Sequence, residues 1–240
     1  MKTILVMSGK GGVGKTTIAV NLSQSLLKQN FTVGLLDVDM HGPNVLKMLG
    51  LDSIQLEMQG ESIVPYRVNE KFKVSSIASF VNSDSAVIWR GPLKHKAVQQ
   101  LTNIDLWGEL DYLIVDFPPG TGDEHISTAQ TLKNISGAVI VSTPQNVSIL
   151  DTLRSVDFCK QLKIPILGLI ENMSGEVFGS GSVEKVCAER NIPFLGRLPL
   201  TKEITLSCEE GKSFVEYGNK KLNDEFEKIT KNIIYNFKED

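Results

Sequence analysis

Near the start of the chain, Gly9 to Thr17 read Gly-Lys-Gly-Gly-Val-Gly-Lys-Thr-Thr. The string fits the phosphate-binding loop pattern of a glycine, four residues, then Gly14-Lys15-Thr16. A glycine-rich turn lets main-chain N–H groups wrap an anion without Cβ clashes, and a helix start adds its positive dipole end. Gly11, Gly12, Val13, Gly14, Lys15, Thr16 and Thr17 are therefore expected to cradle a nucleoside triphosphate. Lys15 supplies charge to the outer phosphates, and the Thr16 hydroxyl is a ligand for Mg²⁺. Lys10 also lies inside this loop, where repulsion from Lys15 is costly unless phosphates neutralise both. Solvent exposure and contact with the phosphates of a second subunit both fit that position.

A metal on a triphosphate needs further hard oxygen ligands, and in an open parallel sheet these sit at the C-terminal ends of strands. Asp37 and Asp39 follow the apolar run Thr32-Val33-Gly34-Leu35-Leu36, and Asp116 follows Tyr112-Leu113-Ile114-Val115. Asp37 and Asp116 are assigned to the metal and its water shell. Asp39 is assigned to the attacking water, because the Gly42-Pro43 turn after it allows that segment to move. Phe117-Pro118-Pro119-Gly120-Thr121-Gly122-Asp123 then combines stiff prolines with free glycines, a loop suited to sensing a γ-phosphate. His41, His95 and His125 have no metal-ligand spacing and are read as solvated loop or helix residues.

The elements that must hold these groups alternate between strand and helix along the chain. That order predicts an α/β fold, a mostly parallel sheet with helices on both faces. Thr3–Met7 reads as the strand entering the glycine loop, and Ile18, Leu22 and Leu26 mark one face of the helix leaving it. Residues 51–77 are less regular and read as an insertion with a hairpin near Glu61-Ser62 and a strand near Val74–Ile77. Further strands are expected at Ala86–Trp89, Ala138–Val141, Pro165–Ile170 and Phe194–Leu198. Helices are expected from Arg90-Gly91-Pro92 to about Asn103, from near Asp123, from Ser148 to Gln161, and from Val183 to Arg190. Lys220 to Phe237 is a charged amphipathic helix with Leu222, Phe226, Ile229 and Ile233 in one stripe, expected to pack on the domain's own core. No linker or repeat interrupts residues 1–240, so one phosphate-loop ATPase domain is expected.

At 240 residues with a net charge of −3, the chain carries no basic field, so neither nucleic acid nor membrane is an expected partner. No apolar run approaches the ~20 residues of a membrane span. The chain opens almost directly on a strand, leaving no room for a signal peptide, so a reducing, cytoplasmic setting is expected. Its three cysteines, Cys159, Cys187 and Cys208, form no C-x-x-C pair and read as buried free thiols.

The glycine loop resembles the deviant phosphate loop of the SIMIBI-class ATPases, which include MinD, ParA and relatives of the nitrogenase iron protein. Asp37-Val38-Asp39-Met40-His41-Gly42-Pro43-Asn44, Trp89-Arg90-Gly91-Pro92 and the Asp116–Asp123 string narrow the likeness, as do Ser142-Thr143-Pro144-Gln145 and Glu171-Asn172-Met173-Ser174. Together they resemble the Mrp/ApbC family of iron–sulfur cluster carrier ATPases over nearly the whole chain. The resemblance implies a homodimer around two ATP molecules, with Lys10 on the partner's nucleotide and Asn172 on the adenine. It also implies slow hydrolysis coupled to delivery of a cluster to an iron–sulfur client. A cluster-free regulatory or positioning switch of the MinD/ParA type is the alternative. The sequence departs from the family at one place: where a C-x-x-C pair is usual, it reads Ser174-Gly175-Glu176-Val177-Phe178-Gly179-Ser180-Gly181. Thiolates hold such clusters, and these residues offer none.

Overall fold

The computed structural model describes residues 1–40, 42–80, 91–132 and 134–237. The expected Ala86–Trp89 strand, Arg90 and His41 lie outside them. The first half runs β1 (Lys2–Met7), α1 (Lys15–Lys28), β2 (Val33–Asp37), α2 (Val45–Met48), β3 (Met58–Gln59), β4 (Ser62–Ile63), β5 (Tyr66–Asn69) and β6 (Phe72–Ser76). Then come α3 (Gly91–Leu101), α4 (Ile104–Trp107), β7 (Tyr112–Asp116), α5 (Asp123–Thr131) and β8 (Ile135–Ser142). The chain continues with α6 (Asn146–Gln161), β9 (Ile166–Ser174), α7 (Ser182–Arg190), β10 (Phe194–Pro199), α8 (Lys202–Glu209), α9 (Phe214–Tyr217) and α10 (Lys220–Tyr235).

Eight strands form one sheet in the order β10-β9-β8-β1-β7-β2-β6-β5, parallel except where β5 runs against β6. β1 and its glycine loop therefore stand at the centre, flanked by β8 and β7. Side chains alternate across the sheet. Ile4, Val6, Val33, Leu35 and Ile114 face the layer of α1, α9 and α10, while Leu5, Met7, Leu36, Leu113 and Val115 face that of α3, α5, α6 and α7. Two apolar cores, one on each side, make the three layers expected from the strand–helix alternation.

The stripe Leu222, Phe226, Ile229 and Ile233 of α10 is fully buried in the first core. Each such side chain contributes on the order of 2 kcal/mol by leaving water. Among the described residues no helix is long and apolar enough to cross a membrane.

Several boundaries differ from the sequence reading. The helix after residue 90 ends at Leu101, and α4 follows as a separate turn. The indole N–H of Trp107 donates to the Leu101 carbonyl, folding that turn back on the helix end. β9 extends to Ser174, so Glu171, Asn172 and Met173 belong to the strand and not to a loop after it. The 51–77 segment holds the expected hairpin, β3 with β4, but also supplies β5, an edge strand of the main sheet. The short helices α2, α8 and α9 were not anticipated.

Candidate functional site

Strand register assembles the acidic half of the site. Asp37 of β2 pairs with Asp116 of β7 on one side and with Ser76 of β6 on the other, while Asp116 pairs with Val6 of β1. Residues in register on neighbouring strands share a face. Both carboxylates thus emerge on the α1 side, at the strand ends beside the glycine loop.

The loop supplies the basic half. Gly14 caps α1 with φ 86°, a left-handed conformation, and a Cβ there would come 2.2 Å from Asn172 Nδ2. At Gly9 a Cβ would lie 2.1 Å from the Asp151 carbonyl oxygen of α6, so this position must also stay bare. No side chain caps α1, and its first turn holds no carboxylate. The first amides of the helix are therefore left for an external anion. Asn172 Nδ2 donates to the Val13 carbonyl at 2.8 Å, tying β9 to the loop.

Lys15 joins the two halves. Its Nζ lies 2.5 Å from Asp116 Oδ1 and 3.4 Å from Asp39 Oδ2, and Thr16 Oγ1 donates to Asp116 Oδ2 at 2.7 Å. Burial works against the Lys15 charge, but Asp116, Asp39 and Asp37 outweigh it and hold the ammonium above its usual range. Burial and then the charge of Asp116 push the Asp37 carboxyl up to about 8. Burial likewise raises Asp116 against the pull of Lys15. Three carboxyl groups crowd one ammonium, and the raised Asp37 and Asp116 mark a pocket short of positive charge.

That shortage is the test of fit for a divalent cation. The donors at hand are the Thr16 hydroxyl and carboxylate oxygens, the ligand type Mg²⁺ takes. Among the described residues no three His, Cys, Asp or Glu side chains form a metal site by themselves. The set suits a metal that draws its other ligands from phosphate and water. Asp37 differs from Asp116, because its oxygens accept from the Asp39 amide (3.0 Å), the Val45 amide (3.3 Å) and Ser76 Oγ (3.0 Å). Protein donors thus surround Asp37 and hold the segment carrying Asp39 in place. Lys10 lies half-buried in the bend before the loop's left-handed glycines.

A cleft of about 220 Å³ opens beside Asn172, lined by Thr17, Met173, Pro199, Leu200, Thr205 and Cys208. Cys208 Sγ is 3.7 Å from Thr17 Oγ1. No local pattern marks α8 as this wall. Cys159 and Cys187 are buried, their thiols pushed up to about 12 and about 11, by burial alone at Cys159 and by burial and nearby glutamates at Cys187. In place of the cysteine pair, Gly175 and Gly179 close a tight turn. Its base is held by Glu171, whose buried carboxylate accepts from the Gly181 and Val183 amides and Ser174 Oγ.

His125 corrects the sequence reading: it is 3% exposed, not solvated. Periodicity offered the missed signal, since His125, Thr128, Ala129 and Leu132 form one buried stripe of α5 and its end.

Comparison with known proteins places this geometry. The family model described as "NUBPL iron-transfer P-loop NTPase" matches residues 1–234. An iron-sulfur cluster carrier protein of Methanocaldococcus jannaschii is 43% identical over 242 residues, covering 96% of this chain and 83% of the relative. A cytosolic Fe-S cluster assembly factor NUBP2 homolog of Trichoplax adhaerens is 43% identical, covering 89% of this chain and 86% of the relative. Among solved structures, a nucleotide-binding protein from Archaeoglobus fulgidus in complex with ADP is 31% identical over 88% of this chain and 87% of that one, with a TM-score of 0.74. The cell division ATPase MinD of Pyrococcus furiosus, 24% identical with 98% of each chain covered and a TM-score of 0.77, shares the fold.

Proposed function

The chain belongs to the family of NUBPL-type iron-transfer P-loop NTPases, and from that premise we propose that it is a Mg²⁺-dependent ATPase acting in iron–sulfur cluster assembly or transfer as an ATP-driven homodimer. The reading rests above all on the Lys15–Asp116–Thr16 junction, where two side chains from the start of the helix that leaves the glycine loop are anchored to Asp116. In this reading, Gly11 to Thr17 bind the phosphates through main-chain amides and Lys15. Thr16 and Asp116 would hold Mg²⁺, with Asp37 bordering its water shell. When bound, the metal neutralises charge on the phosphate oxygens. Asp39 orients water for in-line attack, and Lys10 of one subunit reaches the nucleotide of its partner. Asn172 borders the adenine in the cleft beside α8. Such hydrolysis is positioning plus electrostatics, with no covalent step for the protein to perform. A cytosolic setting and an iron–sulfur client protein accord with the relatives' names.

The purified protein is expected to hydrolyse Mg·ATP slowly, to stop in excess EDTA, and to gain mass to a dimer in light scattering with a non-hydrolysable ATP analogue. Turnover unaffected by EDTA, or a monomer at saturating analogue, rejects the proposal.

A cluster-free switch of the MinD/ParA type is the second reading, favoured by the cysteines. Cys159 and Cys187 are buried, Cys208 lies in the cleft beside Thr17, and no two of the three stand at the C-x-x-C spacing that supplies thiolates to such a cluster. Anaerobic reconstitution with iron and sulfide is expected to leave this protein colourless after desalting. A stable, stoichiometric absorbance near that of a [4Fe–4S] centre restores this chain as a cluster holder in its own right; a colourless protein leaves the ATP-driven switch.

A further inference from the structure

The loop between β7 and α5 has an anchor that the phosphate chemistry does not use. His125 Nε2 lies 2.8 Å from the Pro119 carbonyl oxygen, and a carbonyl only accepts, so the proton sits on Nε2. Nδ1 is buried and has no partner among the described residues. The ring packs against Phe117 at 5.8 Å and Phe158 at 6.4 Å, centroid to centroid. It also fills the space beside two loop glycines: a Cβ on Gly120 would lie 3.5 Å from the ring and one on Gly122 3.9 Å. The loop is thus wound around an imidazole.

The other end of this loop touches the glycine loop. The Gly120 amide donates to the Ser8 carbonyl at 2.9 Å, and Phe117 N donates to Val6 O at 3.1 Å. Ser8 Oγ in turn donates to the Lys10 carbonyl at 2.9 Å. An unbroken path of short contacts runs from His125 through Pro119 and Gly120 to Ser8 and Lys10.

We propose that His125 is a positioning residue for ATP hydrolysis: its Nε2–H fixes the Pro118-Pro119-Gly120 backbone against Ser8, and so sets where the loop stands relative to a γ-phosphate. The ring acts through the Pro119 carbonyl. The proposal rests on the phosphate-site reading above.

Methionine and glutamine have nearly the same length, and only glutamine carries an N–H donor. Methionine also tolerates an aromatic surround. His125→Met is expected to lower kcat about 10- to 100-fold through a misplaced loop. Its affinity for Mg·ADP, which lacks the γ-phosphate, should stay within about twofold of the parent, and His125→Gln should recover most of the rate. A parental rate in His125→Met, an equal loss in His125→Gln, or ADP affinity falling in step with kcat each overturns the latch. If His125→Met does not fold, hydrogen exchange on the unaltered protein decides. The Gly120 amide should exchange slowly, and more slowly still with a non-hydrolysable ATP analogue; exchange indifferent to the analogue overturns the proposal. If the unaltered protein binds no Mg·ATP, the phosphate-site reading itself falls; if it binds and turns over ATP while the variants behave alike, only the latch does.

Discussion

Lys15→Ala loses measurable Mg·ATP binding. Two effects act in the same direction. The variant lacks a charge-assisted contact to the phosphates, an interaction of about 1.5–3 kcal/mol. It also strips the ammonium from a pocket where Asp116 and Asp39 lie 2.5 and 3.4 Å from it. Without the ammonium, the carboxyl groups left in the pocket either repel the phosphates or must first take up a proton, and each route costs binding free energy. Together these predict a loss of at least about 100-fold in affinity by calorimetry. The folded state is expected to survive, because the carboxyls of Asp37 and Asp116 are already held high and can take up protons once the lysine is gone. Circular dichroism on the same sample checks this. Tight saturable binding by a folded Lys15→Ala protein would refute the site.

Lys10→Ala is expected to behave in the opposite way: Mg·ATP affinity within about threefold of the parent, and turnover reduced about 1000-fold, the scale on which a cation supplied in trans acts in phosphoryl transfer. Lys10 stands half-buried at the bend, apart from the Lys15 junction, so its removal leaves the cis contacts whole. Mixing gives the decisive measurement. Lys10→Ala and Lys15→Ala are each inactive alone. If Lys10 serves its partner's nucleotide, a mixed dimer regains one intact site, built from Lys15 of one subunit and Lys10 of the other. Equal mixing should then restore up to about a quarter of parental activity, the value for random pairing, in which half the dimers are mixed and each carries one whole site of two. No recovery on mixing, with dimers confirmed, assigns Lys10 to its own subunit's nucleotide.

How much of this was legible before the structure depends on the kind of signal each residue leaves. Lys15, Thr16 and Asp116 could be placed because a glycine pattern and an aspartate after an apolar strand are local features, and the parallel sheet brings strand ends together. The partners of Asp37 could not. Ser76 lies 39 positions away, and only strand pairing sets it beside the carboxylate. The wall of the cleft beside Asn172 escaped for a similar reason: α8 follows the last strand and folds back, reaching the phosphate helix through Thr17 and Cys208. Similar long-range bonds, from Ser213 Oγ to Asn21 Oδ1 at 2.7 Å and from Thr230 Oγ1 to Ser25 Oγ at 2.8 Å, seat the C-terminal helices on α1. His125 was legible in principle. Metal-ligand spacing says nothing about burial, whereas the stripe it shares with Thr128, Ala129 and Leu132 marks it as an inward residue.

The row Ser76, Asp37, Asp116 and Val6 across four neighbouring strands restricts how this protein can vary. Because side chains alternate along a strand, deleting or adding one residue in β2 or β7 turns every later position to the opposite layer. Such a change would send an aspartate into the apolar side beneath α5 and α6, where an uncompensated charge is costly. Descendants of this chain can therefore exchange side chains within those strands but cannot alter their length. Growth and shrinkage must be absorbed elsewhere, as in the hairpin segment near the far edge of the sheet and the short turn where a cysteine pair is absent.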